Sequence, residues 1–385
     1  MVWQQLVLLV TILIAAVQAQ SCSGQAIITS QADLDNIESC SSYDGTISID
    51  GTNVESLDMD GIQRISGDLI MRNNDNLNSF NAPALQSIRG QLEMSNQTRL
   101  SQFTVPNLKN VSSITLAVLP QLDDVSFVNA LSGLSTISIA DTLVQSIQNP
   151  YITNLRQLRL TNNNNLTTIQ LDKLSKVEGK LYVTANGPSC SAEFPKLTSI
   201  QSATFRNLNN INLPALTVST QDISFNQNLA HDLKLDALIS VGGSLIVVDN
   251  NELSNLTMSN LTTIGGAFAV GNNTKLLAID GFPKLQEVKG TVDFAGAFDK
   301  ANIPALKNVR GEMRLQTTST VFKCNDIKSS QVVNGGSLEC KSNLAPNQID
   351  STFGQNGKGA SSGAQSGSAS SSLALAACMA FIIII

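Results

Sequence analysis

One motif recurs along most of the chain and narrows the possible folds sharply. An apolar residue followed by x-x-[IV]-x-G-x-apolar-x-apolar stands at Ile62-x-x-Ile65-x-Gly67-x-Leu69-x-Met71 and again at Leu85-x-x-Ile88-x-Gly90-x-Leu92-x-Met94. Further copies open at Leu174, Leu238, Leu261, Leu285 and Leu306, with looser ones at Leu108, Leu131, Ile152, Leu197 and Leu216. The twelve starts recur about every 22 residues. A unit this short cannot bury its own apolar side chains, so neighbouring units must stack around one continuous core. The 385 residues therefore read as a solenoid rather than as the roughly two or three globular domains that length alone implies.

Within each unit, the alternation at Leu69/Met71, Leu92/Met94, Leu245/Val247 and Met313/Leu315 has period two. That is the pattern of a strand with one face inward. Gly67, Gly90, Gly179, Gly243, Gly266, Gly290 and Gly311 precede the first inward residue by two, where a positive φ or a tight corner is expected. Pro83, Pro106, Pro195, Pro214, Pro283 and Pro304 precede the opening apolar residue of their units by two and fix φ where a corner begins. Asparagines after the strand, as at Asn73-Asn74, 162–165 and Asn250-Asn251, tolerate left-handed corners and can bond to the coils above and below. The fold predicted is all-β: a right-handed parallel β-solenoid of about twelve coils, some 55–60 Å long at the usual strand spacing.

Open solenoid ends expose unpaired strand edges and need caps. Cys22 and Cys40 bracket the segment before the first coil, and Cys324 and Cys340 the segment after the last. They predict two local disulfides, each contributing on the order of 3 kcal/mol by restricting the unfolded chain. Cys190 is left over, as either a buried thiol or an intermolecular link.

The two ends read as addresses. An apolar stretch from Leu6 to Val17 followed by Val17-Gln18-Ala19 has the form of a signal peptide cleaved after Ala19, too short to span a membrane. Near the other end, Gly359-Ala360-Ser361, a Ser/Gly/Ala/Gln spacer and the uncharged run Leu373 to Ile385 form the three-part signal for a glycosylphosphatidylinositol (GPI) anchor, with Gly359 as the attachment residue and Asn356, Ser361 and Ser362 as alternatives. The expected organisation is a signal peptide at 1–19, a cap at 20–61, the solenoid at 62–320, a second cap at 321–341, a stalk at 342–359 and a removed propeptide at 360–385.

The charge balance is −6, the wrong sign for a nucleic-acid-binding surface. Charged residues make up 14% of the chain, well below the usual share, so the surface is built from uncharged polar groups. Six sequons add to it, at Asn96, Asn110, Asn165, Asn255, Asn260 and Asn272. Sugars there would supply solubility and keep flat faces from pairing with other chains.

Parallel β-helices also carry polysaccharide-cleaving enzymes, whose chemistry needs paired acids. The candidates are Asp58 with Asp60, Asp123 with Asp124, and Asp293 with Glu312. Asp123 and Asp124 would face opposite ways on a strand. The only histidine, His231, has just Asp232 beside it, a poor start for a triad or a metal site. With three tyrosines, and the single tryptophan inside the signal peptide, a sugar-stacking groove is disfavoured. No catalytic, metal or cofactor residue is assigned, and no small-molecule substrate is expected.

The P-x-L-x-x-[IV]-x-G-x-L units, the Cys pair at each end and the two targeting signals together resemble the fungal family of GPI-anchored cell-wall glycoproteins, which includes the sporulation-specific and extracellular-matrix-mutant proteins of yeasts. The resemblance covers about Ser21 to Cys340, and the repeat is similar to the receptor L-domain, a leucine-rich right-handed β-helix. It implies a non-enzymatic role in wall organisation and integrity. The implied partners are the glucan and mannoprotein matrix and, through the lipid, the outer leaflet of the plasma membrane. The rival readings are a receptor-like ligand-binding ectodomain and, third, a polysaccharide-active enzyme.

Overall fold

The computed structural model describes residues 21–324 and 336–349. The expected signal peptide, residues 325–335 of the expected second cap, Gly359, the expected propeptide and most of the expected stalk lie outside the described residues.

Every coil crosses one parallel sheet in two legs. The first leg is short, as at Arg64–Ile65 and Ser240–Val241; the second is longer, as at Leu69–Arg72 and Leu245–Val248. In some coils the legs merge into one strand, as at Ser87–Ser95 and Lys176–Thr184. Register places repeat on repeat: Leu69 pairs with Leu92, and Leu92 with Ile114. After the second leg the chain turns at a residue with positive φ, including Asn73, Asn96, Asn162, Asn207 and Asn272. It then adds a three-residue strand to a second, discontinuous set of sheets, as at Ser79–Asn81 and Asn255–Thr257.

The prolines sit where a reverse turn uses them. Leu85 N–H donates to Ala82 O at 3.2 Å and Leu108 N–H to Val105 O at 3.1 Å, so Pro83 and Pro106 take the second turn position, whose φ matches the pyrrolidine ring. The repeat glycines have a different cause from the one expected. Those seven positions lack a positive φ; they stack on the backbone of the preceding coil. A Cβ on Gly290 would lie 2.6 Å from the Gly266 carbonyl carbon, and one on Gly67 would lie 2.5 Å from Gly45 O. Close approach of backbones, not a left-handed corner, excludes side chains there.

The core is a column of leucine, isoleucine and valine reinforced by phenylalanines. Phe80 stacks on Phe103 with ring centroids 5.4 Å apart, and Phe205 on Phe225 at the same distance. Beside it runs a buried polar column containing Asn163, Asn186, Asn228, Asn250 and Asn273. Their amides bond from coil to coil and to core-strand carbonyls, so backbone groups at the corner find partners without water.

The sheet runs further than the twelve coils legible in the repeat. Strands Ser23–Ile28 and Ser42–Asp50 precede Ile62, and Leu338–Lys341 follows the last copy, giving about 14 turns. The disulfides Cys22–Cys40 and Cys324–Cys340 therefore tie the terminal rungs themselves. At the first end a short helix, Gln31–Asp35, inserts Leu34 into the core. The Gln31 side-chain amide donates to Asp58 O at 2.8 Å and accepts from Asp58 N–H at 2.9 Å. One side chain thus fills the place of a strand at the edge of the second sheet.

Candidate functional site: the outward face of the second leg

A stacked coil has no deep cleft, so any site must be built across rungs. Alternate second-leg residues point outward, and parallel register aligns them in columns. One column runs Arg159, Tyr182, Thr204, Ser224 and Ile246; beside it Thr184, Arg206 and Asn226 form another, continued in register by the buried Thr161. Ion pairs hold the face near its ends. Arg72 grips Glu93 through two bonds of 2.6 and 2.7 Å, and Arg314 grips the buried Asp293 at 3.0 and 2.7 Å. Between them Arg159, Lys180 and Arg206 stand without a carboxylate partner among the described residues. Lys180 Nζ lies 5.9 Å from the centre of the half-buried Tyr182 ring.

The six sequons fall elsewhere. Asn96 and Asn272 occupy left-handed corners, and Asn165 lies just past one. Asn255 heads a strand of the second sheet set, Asn260 sits in the turn closed by Leu261 N–H on Met258 O, and Asn110 starts a first leg. None stands on a second leg. Four of the six amides lie beside acceptors of the preceding coil: Nδ2 of Asn96 on Asn73 Oδ1 at 3.1 Å, of Asn255 on Asp232 Oδ1 at 2.9 Å, of Asn260 on Asp236 O at 2.7 Å and of Asn272 on Asp249 Oδ1 at 3.2 Å. A glycosylated amide keeps one N–H, enough for that bond. The Asn255 amide and nearby Lys234 hold the exposed Asp232 carboxyl below the usual carboxylate range.

The acid pairs considered from sequence do not assemble. Asp293 is bound by Arg314, the residue directly opposite it in register, while Glu312 accepts from Ser337 Oγ at 3.3 Å. Asp123 and Asp124 lie in a loop rather than on a strand, and Asp124 Oδ1 takes the Ser126 N–H at 2.7 Å. Asp58 and Asp60 are exposed on either side of the buried Met59, and no hydrogen bond joins them among the described residues. His231 lies beside Glu252 of the next coil, 3.9 Å from its carboxylate, and no group of three or more potential ligands is found among the described residues. Cys190 is fully buried, and burial pushes its thiol up to about 12.

Sequence reasoning did not single out Arg159, Lys180, Tyr182 or Arg206. They come from three coils, and the only signal was their alignment once the chain is folded at its repeat period.

Leucine-rich rungs, disulfide-tied ends and an outward face clear of sequons define a class of surface-displayed solenoids that present a face rather than enclose a pocket. No protein-family model matches the chain. It is 30% identical over 326 residues to a cell surface GPI-anchored protein of Arthroderma benhamiae, covering 84% of this chain and 83% of that one. It is 30% identical to the protein ecm33 of Aspergillus fumigatus, covering 82% and 79% of the two chains. Sporulation-specific protein 2 of Saccharomyces cerevisiae is 29% identical over 82% of this chain, which spans 62% of that protein's length. The chain belongs to this family of fungal GPI-anchored cell-surface and cell-wall proteins.

Proposed function

We propose that the protein is a non-enzymatic, N-glycosylated component of the fungal cell surface that supports wall organisation and integrity. It is anchored to the outer leaflet through a GPI lipid on Gly359, after loss of residues 1–19 and 360–385. Glycans on Asn96, Asn110, Asn165, Asn255, Asn260 and Asn272 cover the corners, the second sheet and the first leg, and the bare second leg meets the glucan and mannoprotein matrix. The observation that carries this reading is the segregation of all six sequons away from one long face, together with relatives that are named as cell-surface and cell-wall proteins.

The test is release from intact cells by a phosphatidylinositol-specific phospholipase, with peptide mapping before and after removal of N-glycans. A C-terminal peptide ending in an ethanolamine-phosphoglycan at Gly359 and occupied sequons are expected. Protein secreted without an anchor, or retaining residues beyond Leu373, would overturn the reading.

A further inference from the structure

The second-leg face is not uniform. From Ser113 to Arg206, the outward positions of five successive second legs hold no Asp or Glu. The acids around it are Asp141, exposed at the positive-φ corner near the end of strand Thr136–Thr142, Asp222 of the following coil, whose Oδ1 takes the Ser244 N–H at 2.6 Å, and Glu178, on a first leg and paired with Lys176 at 3.0 Å. In this zone Arg159 and Lys180 are exposed, and Arg206 is half-buried with its Nε on Gln227 Oε1 at 2.8 Å. A chain with net charge −6 thus carries a cationic patch on the one long face that has no sequon, with a tyrosine ring at its centre.

Resting on the reading of the protein as a wall glycoprotein, we infer that this patch binds a phosphate-bearing glycan of the surrounding matrix. The charge is complementary, and guanidinium forks suit phosphate oxygens. Tyr182 gives a flat ring for a sugar to lie against, and Ser, Thr and Gln side chains line the neighbouring rungs. A peptide is the weaker fit, because peptides dock on sheet edges or in grooves and the face of a sheet offers no backbone partners. A lipid surface is weaker too, since polybasic membrane binding takes about four to eight cations.

The mature protein released from cells is to be titrated against a phosphorylated mannan, the same mannan after removal of its phosphate by hydrolysis, polyglutamate, and vesicles containing phosphatidylserine. The phosphorylated mannan should bind at least about tenfold more tightly than the other three, and more weakly as salt rises. Arg159→Gln and Lys180→Gln should each weaken it about three- to fivefold. The triple variant with Arg206→Gln should lose it, while Arg310→Gln, just past a first leg and paired with Glu287, should not change it. Because Arg206 is partly packed, Lys180→Glu serves as a second variant on an exposed site and should also weaken binding, with the melting temperature unchanged. Equal affinity for both mannans, tighter binding of polyglutamate or vesicles, or a folded triple variant that binds like the parent would overturn the inference. Phospholipase release is independent of all these outcomes, so failure here and failure of the anchoring reading are separable.

Discussion

Asn228 stands directly below Asn250: its Nδ2 donates to Asn250 Oδ1 at 3.0 Å, and its backbone N–H donates to the same oxygen at 2.9 Å. The Asn250 amide in turn donates to Phe225 O at 2.9 Å and to Asn273 Oδ1 at 3.1 Å. Each amide closes the corner below and is itself held by the one above.

Asn250→Ala should therefore cost far more than a lost surface bond. It orphans the buried Asn228 N–H, at a cost of about 1–3 kcal/mol, and strips the side-chain donor from the Phe225 carbonyl, which stays in the ladder with the next coil. The expected result is destabilisation of about 2–3 kcal/mol, a fall of several degrees in melting temperature by calorimetry. A change within about 0.5 kcal/mol would show that the column carries little energy.

Cys190 is packed at the corner position that leucine holds in other coils, its N–H on Gly187 O at 2.9 Å just as Leu166 N–H meets Asn163 O at 3.0 Å. With the thiol pushed up to about 12, almost no thiolate exists at pH 8. A thiol reagent should leave the native protein unlabelled and modify one site in guanidinium. Rapid native labelling, or a disulfide-linked dimer on non-reducing gels, would contradict burial.

Acid should loosen the solenoid. Asp33, bonded by the Thr29 backbone and side chain and by Ser30, and Asp236, bonded by the Ser259 side chain and backbone, are held below the ordinary aspartate range. A depressed folded pKa means that the unfolded chain binds protons more readily, so the stabilisation is present above about pH 4 and is lost as pH falls through the folded value. Asp236 is exposed and Asp33 half-buried at the surface, so the loss should be gradual. Urea midpoints at pH 7 and pH 3 should differ in that direction, and Asp236→Asn should narrow the difference.

Much of this was legible because every coil repeats one physical problem. The inward alternation and the corner prolines read directly as strands and turns. The terminal rungs were hidden by substitutions at diagnostic positions. Tyr43 replaces the motif's Ile65 while Gly45, Ile47 and Ile49 keep its spacing, and Cys40, three residues earlier, stands where an opening apolar residue is expected. The glycines were legible as a constraint but not for its cause, since backbone contact between coils depends on stacking. Val118, Ala185 and Gln227 adopt positive φ although none advertises it; the corner is imposed by the coils on either side. The cationic patch was invisible because its members are separated by whole coils, and the Asp293–Glu312 pairing failed because register, not sequence proximity, sets the partner.

The separation of sequons from the second leg gives the molecule two unlike sides. With sugars on those sequons, the back would repel its neighbours by crowding, whereas the bare front could lie flat on whatever polymer it meets. Weak contacts spread over several rungs of that front would add, so holding strength would rise with the number of coils laid down and slippage would require several to release at once. Adding or deleting a coil would then tune adhesion without inventing a new binding site.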